Sequence, residues 1–373
     1  MNNNILASKQ ASKQASKQAS KQASKQASKQ ASKQASKQAS KQASRNYNLD
    51  LIKILACIAV VGLHTLHKDI SIVNQSLYYI CGFAVPAFFM STGYVLLNRD
   101  GVHNNYSWNK IKKILHVVFL WSLLISISYL FWRVIKNELN LQVLIVLPKT
   151  FFGGLIQRGY LWHFWYMGAL IIIYAIYPLL MRYRKRLTLI WIISAFVGVL
   201  IQITSYIVGI PVQRYIIQTF RLWSWIQYFV LGGLIGSHNN KEKVSIWKRA
   251  VVCILMNLSI VVYQNVMGKT FLHNSYAEYF YDSALTIIWL ISIFYFILGL
   301  TLDTNVKSLI QNIAPITMGV YLTHPLVMRV VQHFVFVDSL GMSFVYFFAV
   351  LIISSICVFA MRKIPFVKRL VEL

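Results

Sequence analysis

Acidic residues are scarce in this chain: ten Asp and Glu stand against 37 Lys and Arg, for a formal net charge of +27 at pH 7. Charge of either sign makes up only 13% of the residues, whereas 57% are hydrophobic. A water-soluble domain needs more charge to cover its surface, so the solvent this composition fits is lipid. The positive excess is not a nucleic-acid-binding face. Nine lysines sit in one N-terminal repeat, and most other basic residues cluster in short stretches between apolar runs. That is how topology charge is distributed. Cysteine is equally sparse. Cys57, Cys81, Cys253 and Cys357 all lie in apolar segments without paired spacing, which excludes a disulfide framework and a zinc site. No metal and no bound cofactor are expected. Neither Gly-x-Ser-x-Gly nor Gly-Asp-Ser occurs, so no serine-esterase element is present.

What the chain does have begins with nine perfect copies of Ala-Ser-Lys-Gln over residues 7–42. Such a tract buries no core and precedes the first apolar run, so residues 1–45 read as a disordered, solvated cytoplasmic tail. It is not a signal peptide, because the apolar stretch starts only near Leu49. Written as GCA AGC AAG CAA, the repeat unit is the tetranucleotide GCAA read in three successive frames. Slippage at such a tract shifts the reading frame and switches expression, as in genes that decorate exposed surfaces. The plain alternative is a spacer or a lysine-rich membrane tether.

From residue 46 to 373 the chain reads as one all-α integral membrane domain of about ten transmembrane helices. Apolar runs of spanning length lie near 49–66, 76–97, 113–134, 161–181, 188–209, 220–237, 250–268, 282–301, 313–334 and 342–361. Basic clusters alternate between them: Arg45, then Lys110/Lys112/Lys113, Arg182/Arg184/Lys185/Arg186, Lys241/Lys243/Lys248/Arg249 and Arg362/Lys363/Lys368/Arg369. All of these fall on one side, which places both termini in the cytoplasm. The stretch 141–156, with Pro148 and Gly153-Gly154, is too short and broken to span, and reads as an interfacial or re-entrant piece.

The first helix carries the sharpest signal. Lys53 and His64 are eleven residues apart, about three helical turns and roughly 16 Å along one face. Asp50 and Cys57 fall near that face. Such groups on a spanning helix are costly unless they line a polar cavity. Taken singly, Lys53 also fits snorkelling to the headgroups, and His64 fits an interfacial histidine.

A basic residue, ten intervening positions and a histidine, preceded by Leu49-Asp50, resembles the acyltransferase 3 family of membrane acyltransferases. That family usually has Arg where this chain has Lys53, which keeps the charge and loses the bidentate geometry. Val85-Pro86-Ala87-Phe88-Phe89-Met90-Ser91-Thr92-Gly93-Tyr94 resembles the family's second-helix motif. Lys110-Ile111-Lys112-Lys113 is similar to its cytoplasmic basic motif, and Leu161-Trp162-His163-Phe164-Trp165-Tyr166-Met167, followed by Tyr177-Pro178, to its fourth-helix opening. Gly319-Val320-Tyr321-Leu322-Thr323-His324-Pro325 resembles a late-helix motif. The likeness covers about 46–365.

The resemblance implies a multi-pass enzyme of a bacterial inner membrane. It would take an acetyl group from cytoplasmic acetyl-CoA, a substrate rather than a resident cofactor. The acceptor would be a hydroxyl of a cell-surface glycan, such as lipopolysaccharide or another envelope polysaccharide. An alcohol is a poor nucleophile at neutral pH and needs a base, and His64 would serve either by deprotonating the sugar hydroxyl directly or by first accepting the acetyl group. The phosphates of CoA call for cations, here Lys53, Lys110, Lys112 and Lys113; topology signalling accounts for the last three equally well. Asp50, Ser91, His163, Trp165 and His324 are candidates for acceptor contact or pore lining. His163 fits an aromatic belt as well, and His324, before Pro325, is better read as a helix-packing residue. His64-x₄-Asp69 mimics the pair of glycerophosphate-type acyltransferases, but no soluble α/β domain surrounds it. The competing functions are a glycan transporter or flippase, for which the sequence has no internal duplication, and a polysaccharide polymerase, for which the outer loops are short.

Overall fold

The structure, a computed structural model, describes residues 45–99, 104–138, 142–238 and 244–372. The repeat over 7–42 and the basic positions Lys241 and Lys243 lie outside the described residues. The chain divides into residues 1–47 and 48–373, and the helical domain is the second unit. Among the described residues every regular element is helical.

Seven stretches are helical, long and apolar enough to cross a membrane: Tyr47–Thr65, Ile72–Leu96, Asn105–Ile135, Trp162–Arg182, Arg184–Val208, Ile246–Leu272 and Leu340–Lys363. The first is α1 (Tyr47–Thr65). The second is broken at Gly82-Phe83 into α2 (Ile72–Cys81) and α3 (Ala84–Leu96). There follow α4 (Asn104–Ile135), the short α5 (Gln142–Leu155), α6 (Trp165–Arg182) and α7 (Leu187–Val208). Next come α8 (Leu222–His238), α9 (Ile246–Met267), α10 (Ala284–Leu298) and α11 (Thr304–Ile313). The last are α12 (Thr317–Val331) and α13 (Leu340–Lys363).

Three of the ten expected spans, near 220–237, 282–301 and 313–334, are helices of 17, 15 and 15 residues. At 1.5 Å per residue these reach only about 22–26 Å, short of a hydrocarbon core of about 30 Å. Local chemistry sets their ends. Ser283 caps α10, its side chain accepting from Thr286 N at 3.2 Å, and Gly299 closes it. Ala314-Pro315 forms a 3₁₀ turn ahead of α12. α5 is 14 residues long with Pro148 inside it, likewise shorter than a span.

In lipid, helices associate through close packing and hydrogen bonds rather than through water exclusion. The tightest crossing here joins α3 to α8. A Cβ on Gly93 would lie 1.7 Å from Phe229 O, and one on Gly232 would lie 1.9 Å from Met90 O. Around that crossing Phe89 stacks on Trp225 at 4.8 Å, and Asn98 Nδ2 donates to Gly233 O at 2.9 Å. Asn48 at the start of α1 ties in α10: its Nδ2 lies 3.0, 3.1 and 2.8 Å from the carbonyls of Ile297, Leu298 and Leu300. Ile297 and Leu298 are among the carbonyls a helix C-terminus leaves without intrahelical donors. By contrast α7, α9 and α13 expose apolar side chains such as Phe196, Leu258 and Ile356, the surface that lipid covers.

Candidate active site

Two cavities lie at different levels of α1. The inner one, of about 530 Å³, is lined by the cations Lys53 of α1, Lys110 of α4 and Arg362 of α13, together with Thr92, Tyr174 and Tyr321. The outer one, of about 260 Å³, is lined by His64, His163, Trp162, Trp165, Tyr321 and Glu278. Tyr321 thus faces both. The lining also gives helix direction. α1 and α12 pass from the inner level (Lys53; Thr317) to the outer level (His64; His324, stacked on His64), whereas α3 and α6 pass back from Val85 and Trp165 to Thr92 and Tyr174.

His64, in the last turn of α1, is half-buried among rings. Trp162 meets it edge-on with centroids 5.2 Å apart, and His324 stacks on it at 5.4 Å. His163 approaches His324 at 6.0 Å, so three histidines from α1, the 3₁₀ turn Trp162–Phe164 ahead of α6, and α12 form one cluster. His324 Nδ1 lies 3.1 Å from Val320 O and 2.8 Å from Tyr321 O. Carbonyls only accept, so Nδ1 carries the hydrogen and Nε2 keeps its lone pair. His163 Nε2 donates to Leu322 O at 3.2 Å, leaving Nδ1 as the lone pair, and the Tyr321 hydroxyl donates to His163 O. The other nitrogens, His324 Nε2 and His163 Nδ1, are buried without a hydrogen-bond partner among the described residues. Pro325 lies inside α12 and has no N–H for the carbonyl four residues back, Tyr321 O, which accepts from His324 Nδ1 instead.

Opposite the histidines, Glu278 sits in a 3₁₀ turn, Ala277–Phe280, between α9 and α10. Gln218 Nε2 donates to its carboxylate, and Gln218 N donates to Gln157 Oε1 at 3.2 Å. Burial pushes the Glu278 carboxyl above its ordinary range, opposed by Arg221 and by the Gln218 bond.

The sequence-predicted residues separate accordingly. Lys53 and Lys110 meet in the inner cavity, and His64, His163 and Trp165 meet in the outer one. His324 reaches His64 through its ring stack. Lys112 and Lys113 line a third cavity with Lys368 and Arg369. Asp50 lines none of these; it pairs with Lys53 Nζ at 3.2 Å. Ser91 is buried in α3, its hydroxyl lacking a hydrogen-bond partner, and also lines none of the three. Glu278, Gln157, Gln218 and Arg362 join the site without a motif that marks them in the sequence. Glu278 carries a signal all the same, as one of ten acids in a chain so poor in them.

A family profile described as an acyltransferase domain matches residues 46–362. Over 320 residues the chain is 26% identical to an amino-acid racemase of Enterococcus faecalis, an alignment covering 77% of this chain and 42% of that protein. It is 30% identical over 139 residues to a serine/alanine racemase of Enterococcus gallinarum, covering 34% of this chain and 18% of that protein. The chain thus spans less than half the length of the curated relatives it matches. No solved structure matches it.

Proposed function

The chain belongs to the acyltransferase 3 family, and from that premise we propose that it transfers an acetyl group from cytoplasmic acetyl-CoA to a hydroxyl of an envelope glycan. The observation that carries this reading is the pair of cavities on either side of Tyr321, one lined by cations and the other by histidines and aromatics. A thioester donor is anionic at its nucleotide end and neutral along its arm. The first end suits Lys53, Lys110 and Arg362; the arm suits the passage toward Tyr321. The acceptor sugar suits the outer cavity. Trp162 and Trp165 offer ring faces to its C–H bonds, and Glu278, Gln157 and Gln218 offer partners to its hydroxyls.

His64 takes the proton from the attacking hydroxyl. The oxygen forms a bond to the thioester carbonyl carbon, the C–S bond breaks, and the sulfur leaves with a proton returned from His64. His324 supports the ring of His64 from behind, and its backbone bonds keep its own ring in one orientation. The two relatives are named as racemases, and the chain covers only 42% and 18% of their lengths, so the reading rests on the acyltransferase match.

Membranes containing the protein, given acetyl-labelled acetyl-CoA, should transfer label to the glycan fraction of the host envelope. Glycan translocation without label transfer would instead establish the transporter reading.

A further inference from the structure

We propose that Lys368 and Arg369, on the segment that follows α13, form the second wall of an anion site for the nucleotide phosphates of the acyl-CoA donor. The inference rests on the donor reading above and adds residues that lie beyond the matched region 46–362.

A cavity of about 490 Å³ is lined by Lys112, Lys113 and His116 of α4 and by Lys368, Arg369 and Glu372. Four formal cations therefore face one carboxylate. That carboxylate is already engaged, since Arg362 Nε donates to Glu372 Oε1 at 3.0 Å. None of the four is in an ion pair among the described residues. Like charges brought together in this way repel, and an anion between them removes the penalty.

The crowding is imposed by the fold. Topology charge needs only to stay in the headgroup region, and a loose tail would satisfy it. Here the segment is docked instead. Trp121 Nε1 of α4 donates to Leu370 O at 2.8 Å, Val371 is 0% exposed, and its Cβ lies 3.0 Å from where a Cβ on Gly319 would sit. These anchors directly follow Lys368 and Arg369 and fix the segment where both line one cavity with Lys112 and Lys113.

The site also joins the donor cavity. Glu372 lines both the 490 Å³ and the 530 Å³ cavities, and its partner Arg362 lines the latter. A molecule with a polyanionic head and a long neutral arm fits this pairing, the head between the two basic walls and the arm running inward past Arg362 and Lys53. The shared chemistry is phosphate, which a lipid headgroup could also supply, so the test separates the two sources.

The full chain in nanodiscs of zwitterionic lipid would be titrated calorimetrically with coenzyme A. The double variant Lys368→Gln/Arg369→Gln should weaken coenzyme A binding on the order of tenfold or more, since charged hydrogen bonds contribute about 1.5–3 kcal/mol. Lys112→Gln/Lys113→Gln should do likewise. The charge-keeping exchange Lys368→Arg/Arg369→Lys should retain most of the affinity and guards against a folding defect. S-acetyl-pantetheine, which has no phosphate, should bind wild type and the Gln variant alike. Unchanged coenzyme A affinity in the Gln variant overturns the proposal, and if that variant instead loses thermal stabilisation by anionic lipid, the patch is a headgroup site. Wild type that binds no coenzyme A sinks the donor reading, and this site with it.

Discussion

His64 is the base in the proposed transfer, and its surroundings define how to test that role. A general base typically contributes about 10² to 10⁴ in rate, so His64→Gln, which keeps the ring's bulk in part but takes no proton at neutral pH, should lower glycan acetylation by that order. The protein should still insert and accumulate. Near wild-type acetylation would make His64 structural and move the base to His163 or His324, whose lone-pair nitrogens are buried beside it. Lys53→Ala should raise the acetyl-CoA requirement, while Lys53→Arg keeps it; an unchanged requirement in the Ala variant returns Lys53 to snorkelling. Glu278 makes a different prediction. Its carboxyl is pushed up by burial, so its neutral form is the one the fold favours. Its contribution to stability is full below the ordinary carboxylate range and is lost as pH rises through the raised value. Glu278→Gln should flatten that part of the pH dependence of thermal unfolding and weaken acceptor binding. A pH profile identical to wild type would refute the assignment. The order of motifs in the sequence is enough to mark His64 and Lys53, because helical spacing puts them on one face. Glu278 is not legible that way, because it reaches the cavity from a turn between helices, where no periodicity fixes direction.

Among the elements, the crossing of α3 and α8 carries the packing most exposed to a single substitution. Gly93 and Gly232 each leave room for a carbonyl of the opposite helix where a Cβ would be, and backbone cannot yield as a side-chain end does. Gly93→Ala or Gly232→Ala should therefore force the helices apart and lower thermal stability by more than the same change at Gly341, which has nothing within 4 Å. Equal losses at all three positions would rule out the close crossing as the cause. The long helices are legible from their apolar runs, because length and composition alone decide spanning capacity. Their interruptions are not. Gly82-Phe83 splits the second apolar run, and α10 and α12 are shortened by a cap and a 3₁₀ turn inside apolar sequence. Hydropathy averaged over a window does not register a cap such as Ser283, whose hydroxyl accepts a single backbone N–H.

At the scale of the molecule, polarity runs along the helices: cations from three separate helices line the inner cavity, and histidines with aromatics line the outer one. The alternation of basic clusters in the sequence anticipates that grouping, whereas the docking of the segment after α13 against α4 does not follow from any local pattern, since it joins Trp121 to Leu370, 249 residues apart. The repeat over 7–42 is a polar four-residue tract that can bury no core and carries no catalytic motif, so its in-frame deletion should leave acetylation intact. Changing the number of GCAA units by one should abolish expression through frameshift, and normal protein after that change would sink the switching idea. Orientation is tested by the same polarity. If the cationic level is cytoplasmic, as the distribution of Lys and Arg argues, and the short α8, α10 and α12 cross together with their flanking turns, reporters fused after Gln42, Arg186 and Leu373 should read inside. Reporters near Lys149 and Lys269 should read outside. Lys269 is the discriminating position, for it follows α9 directly, on a π-helical turn ending at Leu272, and α9 is one of the seven helices long enough to cross. Arg249 lies in the first turn of that helix, and a chain that enters it from the basic side must leave on the other. A cytoplasmic signal at Lys269 would mean that α9 does not cross, and the donor and acceptor cavities would then lose their assignment to opposite faces of the membrane.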